Sequence, residues 1–335
     1  MIFNPINRKK KSNSSGKVSL LERYRYLADL FMMRWNGRKN FNNSFNISRI
    51  HEYQTIATRH GIDLAASQIL EIGVGQRPYL GITFFGSGYD YRGIDLEEPI
   101  YPLTFLKVLQ LYRANGGVRL IKSLVRYLLF DRQEYRALLR DLGLVPTQLQ
   151  RAQIFIQADA AYVNLGDLLG SSVDELAHDS AAIVVVSEFV FEHIPRSDLK
   201  LILDNLRSFV DQSSRKLLLL TRPTIFTGIC GSHLTEWYPH NVYRTKPKRS
   251  QPWEHLRKNR FAADTYLNRM SRADYRDCFR SCGFDIVRET VQHPGLGSKY
   301  LESADLREEL ANYPDEELLS NEVMFELVPT KGMFV

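Results

Sequence analysis

The chain has few cysteines, three in 335 residues. Three thiols cannot build a disulfide framework. Cys278 and Cys282 sit four apart with no second pair, so they do not read as a zinc site either. No apolar run approaches the roughly 18 residues that a membrane span needs. The opening residues, MIFNPINRKKKSNSSGK, are basic, but no apolar stretch follows them, so they do not read as a secretory signal. These absences favour a reducing, cytoplasmic setting, in which the Asn42 and Asn46 sequons mean little. Internal repeats and long low-complexity tracts are absent too.

What is present is ordinary in amount and uneven in placement. The hydrophobic share of 44% and charged share of 24% suit a globular chain, and this length can bury a sizeable core. The net charge of +6 is concentrated in two places. Arg8 to Lys11 lie in a tail, residues 1–18, that reads as disordered. The second cluster is RTKPKRSQPWEHLRKNR, Arg244 to Arg260. Basic runs are most often solvated; attraction to a phosphorylated, lipid or nucleic-acid partner is the competing reading.

Seven apolar runs read as strands: Gln68–Ile72, Tyr91–Ile94, Ile154–Gln157, Ala182–Ser187, Lys216–Thr221, Phe284–Thr290 and Glu322–Val328. Helical patterns alternate with them, which favours a mainly parallel sheet. Ser19–Trp35 carries Leu20, Leu21, Tyr24, Leu27, Leu30 and Phe31 on one broad face, and a further helix is expected near Ile50–His60. Arg196–Val210 shows a stripe of Leu199, Ile202, Leu203, Leu206 and Val210, with Ser197 or Asp198 able to cap it. Arg272–Phe284 reads as a helix ended by Gly283. Residues 99–151 and 223–260 interrupt the alternation. The first holds two amphipathic helices broken at Asn115-Gly116-Gly117; the second is rich in Trp, Tyr, His and Pro.

The chemistry centres on QILEIGVGQRPYLG, Gln68 to Gly81. A strand runs into two glycines, Gly73 and Gly75, which let the backbone approach a ligand. Asp95 follows 20 residues after Gly75, at the end of the next strand, where a carboxylate can accept both hydroxyls of a ribose. A dinucleotide loop wants a small third residue, but that place is Pro78. Glu71-x-Gly73-x-Gly75 instead resembles the [DE]-x-G-x-G motif of class I S-adenosyl-L-methionine (SAM)-dependent methyltransferases. Arg77 stands where that family often has a third glycine. IQADA, the EHI of SEFVFEHIP, RKLLLLTRP, CGFDIVRE and NEVMFELVP are similar to the family's later strands in the family's order.

The resemblance implies a Rossmann-like α/β fold, a seven-stranded mostly parallel sheet with an antiparallel last strand and helices on both faces. Residues 19–66 would form N-terminal helices or a lid, and 67–335 the SAM-binding domain, with 99–151 as a helical insertion and 223–260 as a substrate loop. SAM would be held by Glu71, Gly73, Gly75, Asp95, Asp159, Ala160 and Ser187, with Glu71 at the methionine end and Asp159 at the adenine amino group. Methyl transfer to an oxygen needs alignment and gains from a base near neutral pKa. The histidines to consider are His193, after the fourth strand, and His233 and His240 in GSHLTEWYPH. Each has a structural alternative, and Trp237 could pin that loop in a small core. A metal on His233, Glu236 and His240 is not expected.

No [DNS]-P-P-[YF] motif follows the fourth strand and no Pro-Cys pair is placed to attack cytosine, which disfavours a nucleic-acid target. The overall look of the chain, including SHLTEWYPH, is similar to small-molecule and glycan-type O-methyltransferases, so a small-molecule or sugar acceptor is expected. The basic helices near 103–130 read as a cap, with docking on an anionic membrane as the alternative. A non-catalytic scaffold with the same fold is the rival from another class.

Overall fold

The Val-, Ile- and Leu-rich runs read from the sequence all form strands: β1 Gln68–Ile72, β2 Asp90–Asp95, β3 Phe155–Gln157, β4 Ile183–Glu188, β5 Leu217–Arg222, β6 Phe284–Val291 and β7 Val323–Pro329. The structure, a computed structural model, describes residues 19–37, 42–97, 99–101, 103–169, 182–213, 215–245, 247–262 and 265–330. The basic tail expected over 1–18 lies outside them. One sheet has the order β3-β2-β1-β4-β5-β7-β6. β1 is parallel to β2 and β4, β2 is parallel to β3, and β7 is antiparallel to β6. β4 from Ile183 to Ser187 and all of β5 are buried. Burial on both faces explains why these two read as unbroken apolar runs rather than alternating ones.

The helices, in chain order, are α1 Leu20–Gly37, α2 Ser44–Arg59, α3 Tyr79–Gly86, α4 Phe105–Asn115, α5 Gly117–Arg126, α6 Arg132–Asp141, α7 Pro146–Ala152, α8 Leu165–Leu169, α9 Arg196–Ser213, α10 Glu254–Arg257 and α11 Arg272–Ser281, with two short helices before β7. In α9, Leu199, Ile202, Leu203 and Leu206 are buried as expected. The cap is not: α9 starts at Arg196, and Pro195 O accepts from the Asp198 and Leu199 amides. α11 opens on a capping box between Ser271 and Asp274. Gly283 follows its end at φ 77°, the left-handed geometry that favours glycine. α2 begins at Ser44, six residues before the expected start at Ile50.

Packing divides the chain into two units. The first holds residues 37–187 and 201–220, the second residues 188–200 and 221–335 together with α1 as far as Asn36. In the first unit the 99–151 insertion folds as expected into α4 and α5, split at Gly116 with φ 76°, and continues as a π-helical turn, Tyr127–Asp131, into α6 and α7. The second unit includes α1 as far as Asn36. Leu20, Leu21, Tyr24, Leu27 and Phe31, which share one broad apolar face, are exposed. The polar face makes the contacts: Glu22 pairs with Arg260, Asp29 with Arg249 at 2.7 Å, and Tyr26 Oη donates to His233 O at 3.2 Å. Arg257 also pairs with Glu309, so much of the second basic cluster is neutralised within the fold.

Gly81 sets the spacing between α3 and the sheet. A Cβ there would lie 2.3 Å from the Tyr91 hydroxyl. Gly81→Ala therefore displaces Tyr91 and breaks its buried bond to Glu71; chemical denaturation is expected to show a loss of about 1–3 kcal/mol. An unchanged midpoint would contradict this close packing.

Candidate functional site

The first unit builds a ligand edge at the carboxyl ends of β1, β2 and β4, where parallel strands of open α/β sheets place their ligands. β1 ends at Ile72, and Gly73 and Gly75 then turn the chain at φ 85° and 68°. Gly73 N–H donates to Ile94 O at 2.9 Å. Gly75 N–H donates to Asp95 Oδ2 at 2.6 Å, and Asp95 Oδ1 accepts from the Glu97 amide at 2.7 Å. Asp95 thus fastens the loop to the end of β2. A Cβ on Gly75 would meet no atom within 4 Å, so the space over the loop is open.

Glu71 stands in β1, two residues before Gly73. Its carboxylate is buried and Oε2 accepts from the Tyr91 hydroxyl at 2.5 Å. Burial, then the neighbouring Glu71 charge, raises the Tyr91 phenol far above its usual range. Ser187 Oγ donates to Ile72 O at 3.0 Å, clamping the end of β4 to the end of β1. After β3, Asp159 Oδ1 accepts from the Ala161 amide at 3.1 Å, with Ala160 half-buried between them. Five of the seven residues chosen from sequence (Glu71, Gly73, Gly75, Asp95 and Ser187) therefore stand at the ends of β1, β2 and β4, and Asp159 and Ala160 follow β3 in the same unit.

Sequence reasoning missed Gln76. Its Nε2 donates to Glu97 at 2.8 Å, and its Oε1 accepts from Ser123 Oγ in α5 at 2.8 Å. Tyr79 Oη donates to Glu134 in α6 at 2.5 Å. The insertion is tied to the glycine loop through these polar contacts, which leave no trace in apolar periodicity.

The second unit gathers two of the three histidines. His193 ends a 3-10 turn, Phe191–His193. Asn268 holds that turn: its N–H donates to Glu192 O at 2.8 Å, and its Nδ2 donates to Phe191 O at 2.7 Å and Ile194 O at 3.0 Å. His193 Nδ1 faces Tyr266 O at 2.9 Å. A carbonyl only accepts, so Nδ1 carries a proton, and in the neutral ring Nε2 is the nitrogen with the lone pair. His233 takes φ 57° on a tight turn in which a Gly231 Cβ would lie 2.1 Å from Phe226 O. Its ring centroid is 5.1 Å from that of His193. Burial, with His193 and His255 adding to it, pulls His233 down to about 3.

Glu192, unremarked in the sequence beyond its place in EHI, completes the group. Its Oε1 lies 3.9 Å from His233 Nε2 and accepts from the Thr224 amide at 3.2 Å. Burial raises its pKa, against the pull of His193. His240 stands outside this group: it is exposed and its Nε2 contacts Asn241 Nδ2 at 3.1 Å. Glu236 is committed elsewhere, accepting from the Arg249 and Ser250 amides at 2.8 and 3.0 Å. Trp237 is buried among Ile229, Cys230, Val242 and Trp253 and donates to Ser250 Oγ at 2.7 Å, pinning the 223–260 loop. A cavity of about 290 Å³ lies against α1, lined by Glu22, Tyr26, Asp29, Arg249, Arg260 and Phe261 among others.

No family model and no curated protein matches the chain. Solved structures that it is similar to include magnesium protoporphyrin IX methyltransferase from Synechocystis PCC 6803 with bound SAH, at 12% identity over 94% of this chain and 89% of that one, TM-score 0.39. A second is 1,6-didemethyltoxoflavin-N1-methyltransferase from Burkholderia thailandensis, at 8% identity over 95% and 94%, TM-score 0.38. A third is a SAM-dependent methyltransferase from Methanosarcina mazei, at 12% identity over 82% and 97%, TM-score 0.38. Likeness at this level carries no argument for activity, which rests on the strand order and the site.

Burial pushes Asp95 up from 3.8 to about 6, opposed by the Gly75 and Leu96 amides. Between these values the folded state keeps a proton that the unfolded chain has released, so this group's contribution to stability falls as pH rises from about 4 to about 6. His233 and His255, both lowered, give the opposite slope. Comparing wild type with Asp95→Asn isolates Asp95: thermal denaturation from pH 4 to 6 is expected to show wild type losing stability relative to the variant, by at most about 3 kcal/mol. Parallel curves would remove the raised pKa.

Proposed function

We propose that the chain is a SAM-dependent methyltransferase that transfers a methyl group to an oxygen of a sugar or other small molecule. The observation that carries this reading is the glycine loop closed on Asp95 in a sheet whose order places an antiparallel β7 between β5 and β6. Class I methyltransferases share such an antiparallel final pair. The open space over Gly75 and the carboxylate at the end of β2 suit a ribose laid along the loop.

When bound, SAM supplies a methyl group already activated by its sulfonium. The chain's task is then to hold and align. Asp95 would hold the ribose hydroxyls, Asp159 and Ala160 would hold the adenine, and the Gly73–Gly75 backbone would hold the methionine portion. Glu71 acts through Tyr91, stiffening the floor of the loop. Of the three histidines, His193 suits proton acceptance best, since Nε2 keeps a lone pair. A base near 3, as His233 is, draws protons weakly at neutral pH, and His240 lies outside the cluster. The charged and aromatic lining of the cavity beside α1 supports a polar, polyol-like acceptor.

Calorimetric titration is expected to give binding of SAM and S-adenosylhomocysteine and none of NAD. Asp95→Ala loses charge-assisted hydrogen bonds of about 1.5–3 kcal/mol, so SAM affinity falls by at least about tenfold. Binding of NAD in place of SAM would overturn the reading. SAM binding with no methyl transfer to any sugar or metabolite in a labelled screen would favour a non-catalytic scaffold.

A second reading, a lipid-linked acceptor met at an anionic membrane surface, is favoured by the outer faces of the insertion. Phe105, Leu106, Leu109 and Tyr112 on α4, and Ile121, Val125, Leu128 and Leu129 from α5 onward, are exposed. Residues 103–130 contain five basic residues and no acidic one, which suits an amphipathic surface on anionic lipid. No described helix is long and apolar enough to cross a membrane. The reading predicts co-sedimentation with phosphatidylglycerol vesicles but not phosphatidylcholine vesicles, lost when Phe105, Leu106 and Ile121 become Ser. Equal sedimentation of wild type and variant would contradict it.

A further inference from the structure

We propose that Glu192, His193 and His233 form a binding site for a divalent transition metal ion, taken through one carboxylate oxygen and two imidazole nitrogens. This differs from the His233, Glu236 and His240 set that the sequence brings to mind and that the structure separates. One ligand atom from each of the three residues lies within 4.8 Å of the other two. Metal–ligand bonds near 2.1 Å hold ligand atoms about 3–4 Å apart, so modest side-chain rotation closes the set.

Two buried atoms of the cluster ask for a partner. Glu192 is 3% exposed, and its Oε2 has no hydrogen-bond partner. His233 Nε2 is likewise buried without one. A buried carboxylate oxygen and a buried imidazole nitrogen left in this state are costly. Bringing in a hydrogen-bond donor satisfies one of them; a cation satisfies both.

The supporting shell is already built. His193 donates Nδ1–H to Tyr266 O, which turns Nε2 towards a ligand role, the arrangement that orients metal-binding histidines. Asn268 fixes the turn carrying Glu192 and His193 by three hydrogen bonds. The left-handed backbone at His233 is strain of the kind that clusters at functional positions. Two imidazoles and one carboxylate suit zinc, iron(II), cobalt(II) or manganese(II) better than calcium or magnesium. Three protein ligands leave coordination positions open, which is the pattern of a catalytic rather than a structural ion. The ion would act there as a Lewis acid on a bound oxygen; His193 would then be a ligand and not the base.

The test uses the full chain, stripped by chelator and free of SAM, so its outcome is independent of the methyl-transfer reading. Titration with Zn²⁺ is expected to show one tight equivalent, and Co²⁺ is expected to give visible absorption bands that Zn²⁺ displaces. Glu192→Gln and His233→Ala should weaken binding by more than the roughly 10–100-fold that loss of an outer partner costs, while His240→Ala leaves it unchanged. X-ray absorption of the wild-type zinc form, which needs no variant to fold, should report two imidazole ligands. Absence of a tight equivalent in wild type, a first shell without imidazole, or binding lost with His240 and retained without His233 would each overturn the proposal.

Discussion

Asp95 accepts the Gly75 amide proton at 2.6 Å, and the shape of the ligand edge depends on that bond. The loop between β1 and α3 has two left-handed glycines and could take many paths. Anchoring at Gly73 by β2 and at Gly75 by Asp95 selects one. Burial makes the anchor expensive, since it pushes the carboxyl up to about 6, yet the same partly desolvated carboxylate is the group that a ribose can engage. On the proposed function, one position would both shape the loop and meet the ribose, which would couple loop geometry to occupancy.

Between α3 and β2 a second constraint operates. Tyr91 fills the space that the missing side chains of Gly81 and Gly93 leave and gives its hydroxyl to Glu71. The helix can approach the sheet there only because position 81 has no side chain. The small residue that a dinucleotide loop would need at Pro78 is thus supplied three residues later, for packing against a tyrosine rather than for approach to a phosphate. The insertion then reaches back to the loop through Gln76–Ser123 and Tyr79–Glu134. Its inner side serves the loop while apolar groups remain on its outer side.

The strands were legible because β4 and β5 are buried on both faces and read as apolar runs, and because the edge pair β6–β7 carries β-branched and aromatic residues. The glycine loop and its strand-end carboxylate were legible because Gly73, Gly75 and Asp95 have a fixed spacing along the chain. α1 has an apolar stripe of helical period, and its ion pairs run from Glu22 and Asp29. Periodicity finds a face and cannot say what covers it. The Glu192–His193–His233 group was half legible. His193 and His233 lie 40 residues apart in sequence, and only the turn held by Asn268 and the tight bend at Gly231 bring them together. Glu192 was hidden inside a familiar tripeptide.

The central claim is that the glycine loop and Asp95 hold SAM. The most direct measurement is a crystal structure with S-adenosylhomocysteine. The account predicts the ribose hydroxyls on Asp95, the amino-acid end over Gly73 and Gly75, and the Asp95–Gly75 bond lengthened or exchanged. Density for the ligand at another place, or none at saturating concentration with the Asp95–Gly75 bond intact, would contradict it.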